Sequence, residues 1–595
     1  MNLASVTGKN WILKKFNEQD ISYLKDNYFL DEVISKLLAI RKIKKNEIQN
    51  YLSPSIKNIL PNPFILKDMD LAVKRSVKAI VNKEKIGIFG DYDVDGATST
   101  ALLGQYFKKI NRDFEIYIPD RKTEGYGPSE KGFKNLIEKN VKLIFTVDCG
   151  TMAFQAVDFA QKQKIDVLIL DHHQSESSLP KAYSIINPNR LDDNSHLNYL
   201  CAAGVCFMFL VALNKELRKN NWFLDNKIKE PNLISYLDLV SLGTVCDVVP
   251  LVGLNRAIVK QGLKIIKNKI NLGIKTLLEI CKIENNNPST YHLGYVIGPR
   301  INAGGRVGKC SHGANLLLNS DAKQSFKLAS ELDSYNKERQ LLESNLLKNV
   351  LEKGLKNLDD PVLILYGNNW HEGIIGIVAS RIKEKYNKPT IIISVKNNIG
   401  KASARSILGF DIGSVIISAT QKGILLKGGG HKMAGGFTIN MEKIQEFREH
   451  VIKKFKTLNV NLEKQRNFYI DSFVSPSALN IDFYSKINTL APFGSGNPEP
   501  KFAIENLKTI NSKIVGEKHI KSILLGSDGS SIKTIAFNAV ENDIGAYLLN
   551  KNKKTFNIAG KLSLNEWRGQ KNVEFIIDDI SVNKDIKNMV PSSNG

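Results

Sequence analysis

The sequence predicts an α/β protein of several domains, in which a parallel-sheet domain is joined by a long helix to a smaller α/β domain and is followed by a small β-barrel. The chain of 595 residues exceeds what one hydrophobic core usually supports. From about residue 71, short apolar runs that end in acidic or turn residues alternate with helical segments, which is typical of a parallel sheet. Near the C-terminus, short alternating runs separated by polar turns indicate a barrel.

The domain boundaries follow from changes in composition and in the spacing of apolar residues. The first segment contains helix-like stretches and ends on Pro61–Pro63. In the linker, apolar residues from Phe326 to Val350 recur at helical spacing on a charged background. The prediction is a helical extension at 1–70, the parallel-sheet domain at 71–320, the linker helix at 321–357, the second α/β domain at 358–460, an OB-like barrel at 461–585 and a tail at 586–595.

The net charge of +23, from 83 Lys and Arg against 60 Asp and Glu, favours a polyanionic partner such as nucleic acid. A Lys-, Asn- and Ile-rich composition can also reflect biased codon usage. The six cysteines include no CxxC pair, which argues against a disulfide framework or a zinc ribbon. The N-terminal stretch lacks the apolar region of a signal peptide, and the longest apolar run, Cys201–Leu213, is too short to span a bilayer. These features predict a cytoplasmic protein.

The strongest chemical pattern is GDYDVDG, in which Asp91, Asp93 and Asp95 directly follow the apolar strand Lys85–Phe89. In an open parallel sheet this is the edge at which ligands bind. Carboxylates this close repel one another, so a bound cation is the natural compensation unless some of them are protonated. An Asp-rich turn that caps a helix would explain one of these residues but not all three.

The same pattern repeats at two further strand ends. KLIFTVDCG leads to Asp148, and DVLILDHH ends in Asp171, His172 and His173. Parallel neighbours place their carboxyl ends on one edge of the sheet, so these side chains can share a site. A further candidate is Asp247 in the apolar SLGTVCDVVPL, where an unpaired carboxylate would be costly. Carboxylate oxygen with imidazole nitrogen suits Mn²⁺ or Mg²⁺, and two such ions would suit the hydrolysis of a phosphoester or phosphoanhydride.

The motifs DYDVDG, TVDCG, DHHQ and GTVCDVVPL, in this order, resemble the four motifs of the DHH phosphoesterase superfamily. Within it, EGYG, GPRINAGGRVG, HEGIIGIVASR, SARS and GGGHKMAGG are similar to the RecJ family of single-strand-specific exonucleases. The resemblance runs from about residue 80 into the barrel and implies a DHH domain, a linker helix, a DHHA1 domain and an OB-like domain. The first seventy residues match less clearly, and AGGRVG departs from the family, which more usually shows a second alanine before its glycine.

The resemblance also implies the roles of individual residues. His173 would face the scissile phosphate, Asp91 would lie beside the metal site, and Asp171 would orient the histidines. The residues implied as ligands of two divalent cations, with Mn²⁺ preferred over Mg²⁺, are Asp93, Asp95, Asp148, His172 and Asp247.

A second group of residues is predicted to bind phosphates. The run that contains Gly429, Gly430 and His431 offers backbone N–H groups and an imidazole, although a Gly-rich run is more often a turn. Ser403 and Arg405, together with the resemblance to the DHHA1 domain, favour an anion site.

Arg300 and Arg306 are further candidates for binding phosphates near the cations, with a solvated arginine pair as the alternative. In the barrel, basic residues interleave with aromatic ones, and such a surface can hold single strands without reading their sequence, although Trp567 could equally lie in the core. These barrel residues are Lys518, His519, Lys521, Trp567, Arg568 and Lys571.

The resemblance implies a 5′-to-3′ exonuclease that degrades single-stranded DNA to 5′-mononucleotides in recombination and repair. A helicase and a single-strand-binding protein are candidate partners, and a monomer is favoured. One alternative is a DHH hydrolase of oligoribonucleotides or cyclic dinucleotides, which would not need the C-terminal barrel. The other is a non-catalytic scaffold that binds single strands, although every expected metal ligand is present.

Overall fold

The computed structural model describes residues 5–268, 270–283, 288–354, 358–458, 466–550, 555–567 and 570–582. The chain divides into two compact units, of which the smaller combines 1–53 with 459–493 and 498–595 and the larger comprises 54–458 and 494–497. The predicted tail at 586–595, Arg568 and the side chain of Trp567 lie outside the described residues. Across these described ranges, no helix combines the length and the apolar character needed to cross a membrane.

The N-terminal segment belongs to the smaller unit. It contains a strand, which the sequence did not predict, followed by three helices. These elements are β1 (Asn10–Leu13), α1 (Glu18–Tyr28), α2 (Glu32–Ile40) and α3 (Ile48–Leu52).

The larger unit begins with a five-stranded sheet whose strands are β2 (Ile86–Gly90), β3 (Phe114–Tyr117), β4 (Leu143–Val147), β5 (Asp166–Leu170) and β6 (Ser184–Ile186). All neighbours are parallel, in the order β3-β2-β4-β5-β6, as the apolar runs predict. Alternate residues of β4 pack into two different hydrophobic clusters, Leu143 and Phe145 on one face and Ile144 on the other. The sheet is therefore buried on both faces, which explains why its strands are apolar throughout.

Helices surround this sheet and continue the chain to the linker. A π-helix, His292–Ile297, precedes one of them. The α-helices are α4 (Ile56–Ile59), α5 (Met69–Val81), α6 (Val94–Lys109), α7 (Glu130–Glu138), α8 (Phe154–Lys162), α9 (Ala202–Lys219), α10 (Trp222–Asp225), α11 (Leu237–Cys246), α12 (Gly253–Lys267), α13 (Leu272–Ile280), α14 (Gly298–Val307) and α15 (His312–Leu318).

The predicted linker is one long helix, α16 (Ala322–Gly354), and a mixed five-stranded sheet follows it. The strands lie in the order β10-β11-β9-β8-β7, and β7 and β8 form its parallel pair. The Gly-rich run is the edge strand of this sheet, hydrogen-bonded to β11 on one side. These elements are β7 (Leu363–Asn368), α17 (Glu372–Tyr386), β8 (Thr390–Lys396), β9 (Ile399–Arg405), α18 (Ile412–Gln421), β10 (Lys427–His431), β11 (Ala434–Asn440) and α19 (Ile444–Thr457).

The C-terminal residues of the smaller unit form a closed five-stranded barrel, in agreement with the prediction. Strands β14, β15, β16, β18 and β17 pair in succession, and β14 pairs with β17 to close the ring. The elements are β12 (Asn467–Ile470), β13 (Ser472–Phe473), α20 (Ile481–Asn488), β14 (Phe502–Val515), β15 (His519–Leu525), β16 (Ser531–Ala536), α21 (Asp543–Leu549), β17 (Phe556–Trp567) and β18 (Gln570–Ser581).

The N-terminal segment is part of the barrel's unit. Strand β1 pairs with β12 in parallel, and Leu24, Leu37 and Ile48 share a hydrophobic core with the barrel residues. Residues 54–70 instead belong to the larger unit, in which α5 packs its apolar face against α9. The extension predicted as one piece to residue 70 is therefore divided between the two units.

Trp11 connects the N-terminal segment to the barrel through a buried carboxylate. Its Nε1 donates a hydrogen bond to Asp579 Oδ2 at 2.8 Å, and Thr7 Oγ1 donates to Oδ1 at 2.8 Å. Replacing Trp11 by Phe leaves this fully buried carboxylate short of one donor. We expect W11F to lower the free energy of local unfolding by about 1.5–3 kcal/mol, measured by hydrogen exchange of the β18 amides. In the W11F/D579N double variant the loss should be smaller than the sum of the single losses, and additive losses would contradict the pairing.

Asp238 is a buried carboxyl group in the first turn of α11. Burial raises its pKa to about 7, against the opposing effect of a hydrogen bond from Leu239 N at 2.7 Å. Because the folded-state pKa lies above the ordinary value of 3.8, this group stabilises the folded state fully below that value, and the contribution is lost as the pH rises to about 7. Asp238→Asn should therefore gain stability relative to the native chain between pH 5 and pH 8 in urea denaturation. A difference that does not change with pH would contradict this assignment.

Candidate active site

Three neighbouring strands of the parallel sheet end at the same level. The last residues of β2, β4 and β5 are paired in register, Gly90 with Val147 and Val147 with Leu170. The residue that follows each strand is an aspartate, so the register brings three carboxyl groups to one edge of the sheet. These residues are Asp91, Asp148 and Asp171.

The turn after β2 adds two more aspartates. Asp93 caps α6, because its Oδ1 accepts a hydrogen bond from Gly96 N at 3.0 Å. Asp95 is buried, and its two oxygens accept hydrogen bonds from the first backbone N–H groups of α9, Ala202 at 2.6 Å and Ala203 at 3.0 Å. The positive end of the α9 dipole therefore stabilises the charged form of Asp95.

Asp247 lies at the same sheet edge, but it follows a helix and not a strand. It is the residue that follows α11, which packs against α6 and α9, and its Oδ2 lies 3.6 Å from His172 Nε2. Two residues at the site have strained backbones: Asp148 with a φ of 61° and Val248, directly after Asp247, with a φ of 60°. A positive φ is rare outside glycine, above all for a β-branched residue, and such strain concentrates at functional sites.

The aspartates and histidines form one continuous cluster. The Nε2 atom of His172 lies 3.3 Å from Asp148 Oδ1 and 3.8 Å from Asp95 Oδ2. All five residues predicted as metal ligands lie in this cluster, and so do Asp91 and His173. The ligand atoms form three overlapping groups, within each of which they lie within 4.8 Å of one another: Asp148, His172 and His173; Asp95, His172 and Asp247; Asp91, Asp93 and Asp148.

The cluster has the properties of a cation site. Among the described residues, Asp91 Oδ1, Asp148 Oδ1 and His172 Nε2 are buried and have no hydrogen-bond partner. Burial, followed by the neighbouring carboxylates, raises the pKa of Asp91, Asp148 and Asp247. Burial lowers the pKa of His172, so its neutral ring offers a lone pair to the cluster. A divalent cation would neutralise this repulsion, and the mixed oxygen and nitrogen donors fit Mn²⁺ or Mg²⁺.

Asp171 supports the histidines. It accepts hydrogen bonds from His173 Nδ1 at 2.8 Å, His172 N at 2.7 Å and Thr151 N at 3.0 Å. Burial raises the pKa of Asp171, but these hydrogen bonds, with His173 first among them, outweigh burial and bring it below its ordinary value. Burial alone would lower the pKa of His173. The pairing with Asp171 outweighs burial and raises this pKa to about 9. The ring of His173 is therefore a cation at neutral pH, and its side chain is 47% exposed.

The sequence analysis did not single out two supporting residues, Tyr126 and Asn187. The hydroxyl of Tyr126 donates to Asp148 O at 3.0 Å and lies 3.2 Å from His173 Nδ1. The buried side chain of Asn187 donates to Thr151 Oγ1 at 2.9 Å and to His173 O at 2.8 Å. A signal for Asn187 was present, because it directly follows β6 at the same sheet edge.

A basic cleft of about 870 Å³ adjoins the cluster within the larger unit. The Cζ atom of Arg121 lies 5.4 Å from the ring centroid of Tyr92. Tyr92 lies between two aspartates of the cluster in the sequence, so its ring separates the cluster from the cleft. Burial and then the positive charge of Arg121 lower the pKa of Arg306 to about 10. Six cationic residues line the cleft: Arg121, Lys122, Arg306, Lys401, Arg405 and Lys427.

The predicted phosphate-binding residues do not all lie in this cleft. Arg306, Ser403 and Arg405 line it, and Arg405 Nη1 donates to Ser403 Oγ at 3.1 Å. Arg300 instead pairs with the linker helix α16, because its Nε donates a hydrogen bond to Oδ1 of Asp333 on that helix at 2.9 Å.

The Gly-rich strand β10 meets the cleft through its first two residues, Lys427 and Gly428. Gly429, Gly430 and His431 follow on the exposed edge of the sheet, beyond the residues that line the cleft. The run is extended because it pairs with β11, and it is therefore neither a turn nor a helix N-terminus.

Three family models match successive parts of the chain. The DHH family N-terminal domain matches residues 85–244, the DHHA1 domain matches 359–457, and the RecJ OB domain matches 470–579. The first of these contains the sheet and most of the acidic cluster, and the second contains Ser403 and Arg405.

Curated relatives match over nearly the whole chain. The single-stranded-DNA-specific exonuclease RecJ of Dickeya dadantii is 33% identical over 563 residues, which are 93% of this chain and 96% of that protein. The protein of the same name from Escherichia coli is also 33% identical, over 93% of this chain and 96% of its own length. The crystal structure of RecJ from Thermus thermophilus in complex with Mn²⁺ matches 96% of this chain and 80% of that chain, with a TM-score of 0.79 and 26% identity. With its DHH, DHHA1 and OB domains, the chain belongs to the RecJ family.

Proposed function

We propose that the chain is a metal-dependent exonuclease that degrades single-stranded DNA from the 5′ end and releases 5′-mononucleotides in recombination and repair. The observation that carries this proposal is the buried cluster of aspartates and histidines, whose unpaired acceptor atoms lie beside a cationic cleft. The names of the Dickeya and Escherichia relatives support single-stranded DNA as the substrate. A DNA substrate supports a proposed cytoplasmic location, and a helicase and a single-strand-binding protein are the candidate partners.

The cluster would hold two divalent cations, with Mn²⁺ preferred over Mg²⁺ because imidazole nitrogen joins the carboxylate oxygens among the donors. Asp148 belongs to two of the overlapping groups, and its carboxylate would offer an oxygen to each of two ions, whereas the single lone pair of His172 Nε2 would serve one. When bound, the cations would activate a water molecule and stabilise negative charge on the phosphate oxygens. The ligands would be Asp93, Asp95, Asp148, His172 and Asp247.

The residues beside the ligands would assist the displacement at phosphorus. His173, protonated and oriented by Asp171, would donate a hydrogen bond to a non-bridging oxygen as negative charge develops there. The hydroxyl of Tyr126 also lies 3.2 Å from Nδ1 of this ring. The unpaired Oδ1 of Asp91 would accept the proton of the attacking water.

The cleft would bind the terminal 5′-phosphate. Such a group carries more negative charge than an internal phosphate, and Arg306, Arg405 and Ser403 offer it guanidinium and hydroxyl donors. Gly429, Gly430 and His431 remain candidates for contacts at the exposed rim of this sheet. With the 5′ end held here, the first phosphodiester would lie toward the cluster, and the strand would be degraded in the 5′-to-3′ direction.

The activity is tested with Mn²⁺ and a 5′-labelled single strand. We expect the native chain to release the label as a mononucleotide and Asp148→Ala to reduce this release to background, because the carboxylate joins two of the ligand groups. Binding of the strand without metal should be nearly unchanged in the variant. Asp158→Ala, an exposed aspartate on α8, is the control and should keep native activity. Normal turnover by Asp148→Ala would contradict the metal assignment.

The polarity is tested at Arg405. Replacing it by Gln removes a cation from the cleft, and hydrogen bonds to charged groups contribute about 1.5–3 kcal/mol each. We therefore expect R405Q to raise the KM for 5′-phosphorylated strands about 10- to 100-fold and to leave the KM for 5′-hydroxyl strands nearly unchanged. Lys396→Gln, at an exposed lysine of the same sheet, serves as the matched control. An equal effect on both kinds of strand would argue against a terminal-phosphate site.

A further inference from the structure

We infer that Tyr291 and Tyr295 form a stacking platform for the bases of single-stranded nucleic acid, beside the acidic cluster. The inference rests on the proposed function and adds a binding site on a different element, the π-helix His292–Ile297 and the residue before it. The platform would act on the bases, whereas the cluster and the cleft act on phosphates.

The two rings are exposed, although large aromatic side chains are generally buried. Tyr291 is 61% exposed and Tyr295 is 74% exposed. Their rings stack on each other, with centroids 5.3 Å apart and an interplanar angle of 28°. Two nearly parallel rings present a flat apolar surface, which a further planar ring can extend.

The π-helix is packed against the end of α11, the helix that leads to Asp247. Cys246 Sγ donates a hydrogen bond to Leu293 O at 3.3 Å. A Cβ added to Gly298, the first residue of α14, would lie only 2.6 Å from the same sulfur, so the chain directly after the π-helix also lies close to the Cys246 side chain. The platform is therefore fixed to the element that carries one of the proposed metal ligands. Departures from α-helical geometry of this kind often occur at functional sites.

The size of the platform favours a nucleobase over a protein partner. A tyrosine buries at most about 150–250 Å², whereas a stable protein interface buries more than about 1,000 Å² in total. The outward face of the stacked ring pair instead has an area that suits one base. Stacking of a base on an aromatic ring contributes about 1–3 kcal/mol and tolerates any base, which suits an enzyme that moves along a strand.

The test uses single strands in which one nucleotide lacks its base. With the native chain and Mn²⁺, an abasic nucleotide at the position over the platform should raise the KM about 5- to 150-fold, corresponding to about 1–3 kcal/mol per base. The position is found by moving the abasic site along the strand. In the Y291A/Y295A variant this position-specific penalty should vanish, while the KM for intact strands rises by a similar factor and kcat is unchanged. The Y291F/Y295F variant should behave like the native chain, because stacking needs the ring and not the hydroxyl.

The matched control is Tyr366→Ala, which removes another exposed tyrosine, from β7, and should keep the abasic penalty. Tyr295→Trp gives a second readout, since its fluorescence should be quenched by oligothymidylate without metal. A native KM in Y291A/Y295A, an abasic penalty that persists in it, or unquenched Tyr295→Trp would overturn the inference. A native chain that releases no nucleotide would overturn the proposed function instead.

Discussion

Repulsion among the buried aspartates is the constraint around which the larger unit is organised. Five carboxyl groups, on Asp91, Asp93, Asp95, Asp148 and Asp247, meet at one sheet edge. Burial and the neighbouring carboxylates disfavour the charged forms of four of them, Asp91, Asp95, Asp148 and Asp247. The fold offsets part of this cost by aiming the first N–H groups of α9 at Asp95. The acceptors that remain unpaired are those that a cation would occupy. The arrangement is unfavourable without a metal ion, which supports the proposed position of the cations.

The two adjacent histidines differ in protonation state because their surroundings differ. His172 is buried among carboxylates with a lowered pKa, and it therefore presents a neutral nitrogen of the kind that metals bind. His173 is the next residue, yet Asp171 pairs with it directly and keeps it charged. Burial of His172 and the pairing of His173 with Asp171 thus give the two adjacent histidines opposite protonation states.

Opposite charges lie side by side in the larger unit without cancelling. The acidic cluster and the basic cleft are separated by Tyr92, whose ring contacts Arg121 on the cleft side. Within the described residues, Arg306 and Arg405 form no ion pair with a carboxylate, and their guanidinium groups remain available to an anion. A phosphate chain can satisfy both regions, because its oxygens pair with the arginines and with the cations.

The parallel sheet, the long helix, the barrel and the aspartates at the strand ends can be predicted from the amino-acid sequence, because apolar runs and their spacing are local properties. Which cationic residues face the cleft depends on the three-dimensional fold. Arg300 and Arg306 lie on one helix, but their separation of six residues turns them toward different neighbours, Asp333 for the first and Gly373 O for the second. The pairing of β1 with β12 likewise joins segments more than 450 residues apart. No local pattern records such a contact, because it depends on how the whole chain folds back on itself.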